Sequence, residues 1–131
     1  RVTVGSGLVI SVVAQDSSSL SGTLTEFAEK YGLEESLFKA VLRQMDFERV
    51  QFDKRMEDFS EGQKKKVLLA RSLCERAHLY VWDEPLNYID IYTRMQIEQL
   101  ILEYSPTMLF VEHDRMFRDR IATRTVEVGD I

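Results

Sequence analysis

Leu79-Tyr80-Val81-Trp82-Asp83-Glu84-Pro85 is an apolar run that ends in two adjacent carboxylates and a proline. Four consecutive apolar residues fit a strand buried on both faces, as in a parallel sheet. Two acids at the end of such a strand are costly, because an unpaired charge taken out of water loses several kcal/mol or more. In open α/β sheets, ligands sit beyond the carboxyl ends of the strands. A divalent cation there would offset the charge of Asp83 and leave Glu84 to orient and polarise a water. An isolated Asp-Glu pair at a strand–loop junction is more often simply solvated, so the neighbouring sequence has to decide.

Upstream, Ser60-Glu61-Gly62-Gln63 opens a helix that runs to about Arg76. Ser at the N-cap with Gln three residues on is a capping-box arrangement. A helix N-terminus offers unpaired N–H groups and a positive dipole end, which suit phosphate. Gly62 removes side-chain bulk where an oxygen would approach, and Ser60 adds a hydroxyl donor. Val67, Ala70 and Cys74, with Leu69 and Leu73 beside them, form the expected buried face. Lys64-Lys65-Lys66 reads as the solvated face of the same helix, with contact to RNA as the alternative.

Downstream, Asp90 can cap a helix reaching about Tyr104, whose apolar stripe is Ile97, Leu100, Ile101 and Tyr104. Ser105-Pro106 stops it. Thr107–Val111 is a second buried strand, followed by Glu112-His113-Asp114. Strand, helix, strand at this spacing is a βαβ unit, so His113 is expected on the same sheet edge as Asp83 and Glu84. A short helix with Phe117 and Ile121 inward and a last strand at Thr125–Val128 complete this half.

The first half begins with two strands, Val2–Val4 and Leu8–Val13, about the turn Gly5-Ser6-Gly7, and the second strand closes at Gln15-Asp16. Helices follow at Thr23–Tyr31, stopped by Gly32, and at Glu34–Met45, with Phe38, Val41, Leu42 and Met45 on one face. Phe47, Val50, Phe52, Met56 and Phe59 supply further apolar anchors.

The 131 residues suffice for one modest core, and 44% apolar with 30% charged residues is ordinary globular composition. The net charge of −5 argues against a general nucleic-acid binder, since no global basic field attracts phosphate. The one cysteine, Cys74, forms no internal disulfide and reads as a small buried residue in a reducing cytosol. No apolar run approaches the roughly 18–20 residues of a membrane span, and no signal peptide is recognisable, so a cytoplasmic location is expected. A start at Arg1 rather than Met points to a piece of a longer chain.

Gln at a strand end, a helical segment, Ser-x-Gly-Gln opening a helix, a buried strand into Asp-Glu, Asp six residues after Glu84, and His after the next strand: this order resembles the ATP-binding cassette (ABC) ATPases. The likeness covers nearly the whole chain. It implies an α/β fold, a partial cassette with a parallel βαβ core and an α-helical subdomain. Residues 1–16 would be the β segment to the Q-loop, 17–59 the helical subdomain, and 60–131 the remaining core. Carried over by motif, Gln15 resembles the Q-loop glutamine that senses Mg²⁺ and the attacking water. Phe59–Gln63 resembles the signature motif, whose Ser60, Gly62 and Gln63 would face the γ-phosphate of ATP held by the opposite cassette. Asp83 would hold Mg²⁺ through water, Glu84 would be the catalytic carboxylate, Asn87–Asp90 is similar to the D-loop at the cassette–cassette interface, and His113 resembles the switch histidine.

Phe59 and Glu61 stand where the usual signature has Leu and Gly, and Ile89 where Leu is common in the D-loop. No G-x-x-x-x-G-K-[ST] phosphate-binding loop occurs in these residues. The resemblance therefore implies half of each of two ATP sites and no ATPase activity from these 131 residues alone. In intact cassettes the P-loop strand lies between the two buried strands, so its absence implies either closure of the sheet in place or self-association through open edges. Asn87 and His113-Asp114-Arg115-Met116-Phe117 resemble the ABC-F proteins, which carry two cassettes and no membrane domain and act on ribosomes. The stretch Met56–Asp90 is similar to the second cassette of their antibiotic-resistance branch. That likeness implies binding at the E site of the large ribosomal subunit and displacement of drugs such as lincosamides, streptogramins A and pleuromutilins. A cassette of a membrane transporter is the alternative, since it shares every catalytic residue.

Overall fold

β-Branched and aromatic residues dominate the two apolar runs at the centre of the fold, and both become strands. The structure, a computed structural model, describes residues 2–4, 8–14, 20–104 and 108–111. Four strands, β1 (Val2–Val4), β2 (Leu8–Val13), β3 (Leu79–Asp83) and β4 (Met108–Val111), form one sheet in the order β1-β2-β3-β4. β1 and β2 are antiparallel, while β2, β3 and β4 run parallel. The register sets Val13 beside Trp82 and Asp83 beside Val111, so β3 is central. β3 and β4 pair directly, with no other strand between them. The expected helix and strand beyond Val111 lie outside the described residues.

Between β2 and β3 the chain is helical. α1 (Leu24–Lys30) starts at a capping box that the sequence reading missed: Thr23 Oγ1 accepts from the Glu26 N–H and Glu26 returns the bond to the Thr23 N–H. Gly32 adopts φ 65° just past its end, as expected of a stop. α2 (Glu35–Gln44) buries Phe38, Val41, Leu42 and Met45. Phe27 stacks on Phe38 at 5.7 Å between ring centres, and Phe47 meets Phe52 and Phe59 edge-on, each at 5.4 Å. Of two short 3-10 helices, Arg49–Asp53 carries the half-buried Phe52 and Met56–Asp58 buries Met56. Val50 is not an anchor, since it is 55% exposed; its 3-10 turn buries no residue and leaves the side chain outward.

α3 (Glu61–Cys74) is enclosed on several sides, by the sheet and by the preceding helices. The lysine run expected to be solvated is therefore broken in its middle. Lys65 is 2% exposed, so the lysine run is not one solvated face and Lys65 presents nothing to RNA. Cys74 is half-buried, and burial, helped by the nearby Glu34 and Glu75 carboxylates, pushes its thiol up to about 11, so it stays protonated at neutral pH. α4 (Ile91–Tyr104) crosses from β3 to β4 and buries Ile97, Leu100 and Ile101. Tyr104, the last residue of α4, is 39% exposed instead of completing the stripe. β3 is also less enclosed than a doubly covered strand: Trp82 is fully buried while its neighbours are half-buried.

A buried polar network ties α3 to the sheet. Ser11 on β2 donates to Glu75 Oε1 at 2.5 Å and lies 2.7 Å from Ser72 Oγ, which accepts from Trp82 Nε1 at 2.9 Å. Because the single Ser11 proton goes to the carboxylate, Ser72 is the donor to Ser11, and the chain runs Trp82 to Ser72 to Ser11 to Glu75. Arg71 donates to the Val12 carbonyl at 2.5 Å, lies 3.7 Å from Glu75, and sits over the Tyr31 ring at 5.3 Å. Both charges are nearly enclosed, so removing one strands the other. Arg71→Ala is expected to lower stability by about 3–5 kcal/mol, read as a fall in the urea midpoint, whereas replacing Arg71 and Glu75 together by Met and Leu should cost less.

Candidate functional site

Two chain segments build the site. The first is the start of α3. Ser60 stands at the N-cap with extended backbone; its Oγ accepts from the Gln63 N–H at 3.1 Å, and Gln63 Oε1 accepts from the Ser60 N–H at 2.9 Å. The capping box read from the sequence is therefore present. Its acceptor bonds leave the Ser60 O–H proton as a donor. Gln63 spends its side-chain oxygen on the cap. Glu61 is exposed and turns toward Lys64, 3.9 Å away, so its charge is led off the helix end.

The second segment is the end of β3 and the turn after it. Asp83 closes the strand, and Glu84 takes up φ 46°, a left-handed conformation that costs a side-chain-bearing residue energy and that recurs at functional sites. The Asn87 N–H donates to the Glu84 carbonyl at 3.3 Å, and its side-chain Nδ2 donates to Glu84 Oε2 at 3.0 Å. Leu86 and Ile89 are buried beneath the turn at 2% and 4% exposure, and Tyr88 returns the chain with φ 66°. Asp90 then caps α4, accepting from the Thr93 N–H at 3.4 Å. Hydrogen bonding from Thr93 holds the Asp90 carboxyl below its ordinary value, and the charge of Lys66 acts in the same direction.

The segments meet at Gly62. A Cβ on this residue would fall 2.7 Å from the Tyr88 carbonyl oxygen. The oxygen that Gly62 admits here is a backbone oxygen of the same chain, where the sequence suggests a phosphate oxygen. Gly62, at the capped start of α3, is thus brought against Tyr88, in the turn that follows Asp83 and Glu84. Gln15 and His113 lie outside the described residues; the last strand residues before them, Val13 and Val111, pair with Trp82 and Asp83.

Among the described residues no group of three or more His, Cys, Asp and Glu gathers as a metal cage. Asp83 and Glu84 offer one or two carboxylates, which suits Mg²⁺, an ion that keeps several waters and takes other ligands from phosphates. The donor set does not suit Zn²⁺ or a Ca²⁺ cage. The reading of Asp83 as a Mg²⁺ residue is therefore compatible with its surroundings.

The sequence profile of the ABC transporter family matches residues 6–87, which span the start of α3, the acidic strand end and most of the turn. This chain belongs to the ABC transporter family. The cassette is 30% identical over 137 residues to the energy-dependent translational throttle protein EttA of Haemophilus influenzae, covering 98% of this chain and 25% of that protein. It is 32% identical over 108 residues to ABC transporter F family member 2 of Arabidopsis thaliana, covering 82% of this chain and 16% of the relative. A structure of ribosome-bound archaeal Pelota and ABCE1 contains a similar fold, with a TM-score of 0.70 and 28% identity over 86% of this chain and 20% of the other. The chain thus spans a quarter or less of these relatives. No described helix of the cassette is long and apolar enough to cross a membrane.

Ser60 serves the cap independently of any ligand. Ser60→Ala is expected to cost about 1 kcal/mol of stability, while Ser60→Asp, which keeps the acceptor, should cost little; thermal melts of both variants check this.

Proposed function

We propose that these residues form the part of an ATP-hydrolysing cassette that follows its phosphate-binding loop, in the second cassette of an ABC-F protein that acts on the ribosome and protects it from antibiotics. The observation that carries the reading is the meeting of the α3 start with the turn after Asp83 and Glu84. One small region holds a capped helix end suited to phosphate and a carboxylate pair suited to hydrolysis. The likeness to a translational throttle protein and to an F-family member supports the ribosomal assignment, and the resemblance of Met56–Asp90 to the resistance branch supports protection from drugs.

Asp83 would hold Mg²⁺ through water, and the ion would neutralise charge on the phosphates of ATP. Glu84 accepts a proton from the attacking water, with Asn87 fixing one of its oxygens. Ser60 donates its hydroxyl, and the α3 N–H groups present their dipole, to the γ-phosphate of a nucleotide gripped by the other cassette of the same protein. Gln15 and His113 are assigned the Q-loop and switch roles that their motifs imply. Closing the two cassettes completes both sites and excludes water, which strengthens these interactions.

In the intact protein, Glu84→Gln should retain ATP binding, lower turnover by about two orders of magnitude or more, and cause the protein to sediment with the large ribosomal subunit in the presence of ATP. A variant that hydrolyses normally and does not accumulate on ribosomes would remove Glu84 from this role. Added to a translation reaction inhibited by a lincosamide, the unmodified protein should restore synthesis; failure there, with ribosome binding intact, would sink the protective role alone.

A further inference from the structure

The contact between Gly62 and Tyr88 lies within one chain, whereas the phosphate that the start of α3 is read to serve belongs to the opposite cassette. A Cβ at residue 62 would stand 2.7 Å from the Tyr88 carbonyl oxygen and 3.9 Å from Ser60 Oγ. Carbon and oxygen do not approach so closely, so one of the two backbones would have to move by several tenths of an ångström. Neither can swing aside as a flexible side chain would. Residue 62 sits in the first turn of α3, fixed by the Ser60–Gln63 capping box. Tyr88 is held between Leu86 and Ile89, both buried, with the Ile89 N–H donating to the Leu86 carbonyl at 3.1 Å.

What depends on the carbonyl is the turn that begins at Glu84. Glu84 and Tyr88 both have positive φ, 46° and 66°, and the surroundings must hold such conformations in place. Inside the turn Asn87 binds Glu84 twice, through its N–H to the carbonyl and through Nδ2 to Oε2 at 3.0 Å. A path of five residues therefore joins the helix start to the carboxylate. We propose that Gly62 is a positioning residue for Glu84 of its own chain: its bare Cα seats the Tyr88 carbonyl, and that seat fixes the turn that aims the Glu84 carboxylate. The helix start then acts on both ATP sites, in trans through the phosphate contact and in cis through this seat. The catalytic part rests on the function proposed for Glu84; the structural part does not.

Nucleotide-free protein separates the two effects, because without ATP the phosphate contact contributes nothing. Amide exchange is compared between the intact protein and its Gly62→Ala variant. The Asn87 and Ile89 amides should exchange about tenfold faster or more in the variant, with exchange in α1 and α2 unchanged. Equal protection of the turn in both proteins overturns the proposal. Should Gly62→Ala fail to fold, Gly62→Ala/Tyr88→Gly is expected to fold, since glycine carries no penalty at positive φ and lets the carbonyl retreat. A double variant that also fails to fold overturns the contact as the cause. For the catalytic part, the carboxylate of the other cassette is replaced so that only the site using Glu84 turns over. Gly62→Ala should then lower kcat with little change in the KM for ATP, and Tyr88→Gly in the same chain should recover part of the loss. An unchanged kcat contradicts the positioning role, while normal turnover in Glu84→Gln would instead contradict the assignment of Glu84.

Discussion

Everything at the site is referenced to one buried ion pair and its hydrogen bonds. Arg71 and Glu75 bring two charges into the interface between α3 and the sheet, where isolated charges are untenable. The serine hydroxyls, the Trp82 N–H and the Val12 carbonyl accommodate them only when α3, β2 and β3 sit in one mutual arrangement. Tyr80 adds a bond from its hydroxyl to the Glu75 carbonyl at 2.6 Å, closing the C-terminal end of the helix against β3. An apolar interface would tolerate sliding; a directional network does not. The helix is thereby oriented from its far end, and its capped start arrives beside the carboxyl end of β3.

Much of this was legible in the sequence where a local rule and the tertiary outcome coincide. The β2 and β3 runs, the Ser60 cap and the βαβ order follow from apolar continuity, capping chemistry and turn residues, and each is found. Periodicity misled where a helix has more than one buried side. It sees one stripe on α3, yet Lys65, Arg71 and Ser72 are buried as well, because the sheet and the helical segment approach from different directions. The i, i+4 spacing of Arg71 and Glu75 was a signal, but surface pairs share that spacing, and only tertiary contacts tell the two apart. For Tyr104 and Val50 the apolar character was correct and the burial was not, since helix ends and 3-10 turns do not continue a stripe.

The candidate site was legible as a set of residues, and its connectivity was not. Residue types together with motif order nominated Ser60, Gly62, Asp83 and Glu84 for phosphate and water handling, and the structure sets Gly62 against the turn that follows Asp83 and Glu84. The left-handed turn at Glu84 and Tyr88, and the backbone oxygen that meets Gly62, depend on a register that composition does not encode. Gln15 and His113 follow from motif order alone, as they lie outside the described residues.

The sheet register also carries a temporal consequence. β3, α4 and β4 are adjacent in sequence, and β1 and β2 form an antiparallel pair with three residues between them, so each unit closes a small loop. The seam between them joins residues 69 positions apart, as in the bond from the Val9 N–H to His78 Nδ1 at 3.0 Å. Contacts of such separation form late, because the entropy of closing the intervening chain comes before their reward. Until the helices and β3 have followed, the β2 edge of the β1–β2 pair is without its later partner. That edge is exposed to mispairing in the interval, and the strand that bears it already carries Ser11 and the Val12 carbonyl that later meet Glu75 and Arg71.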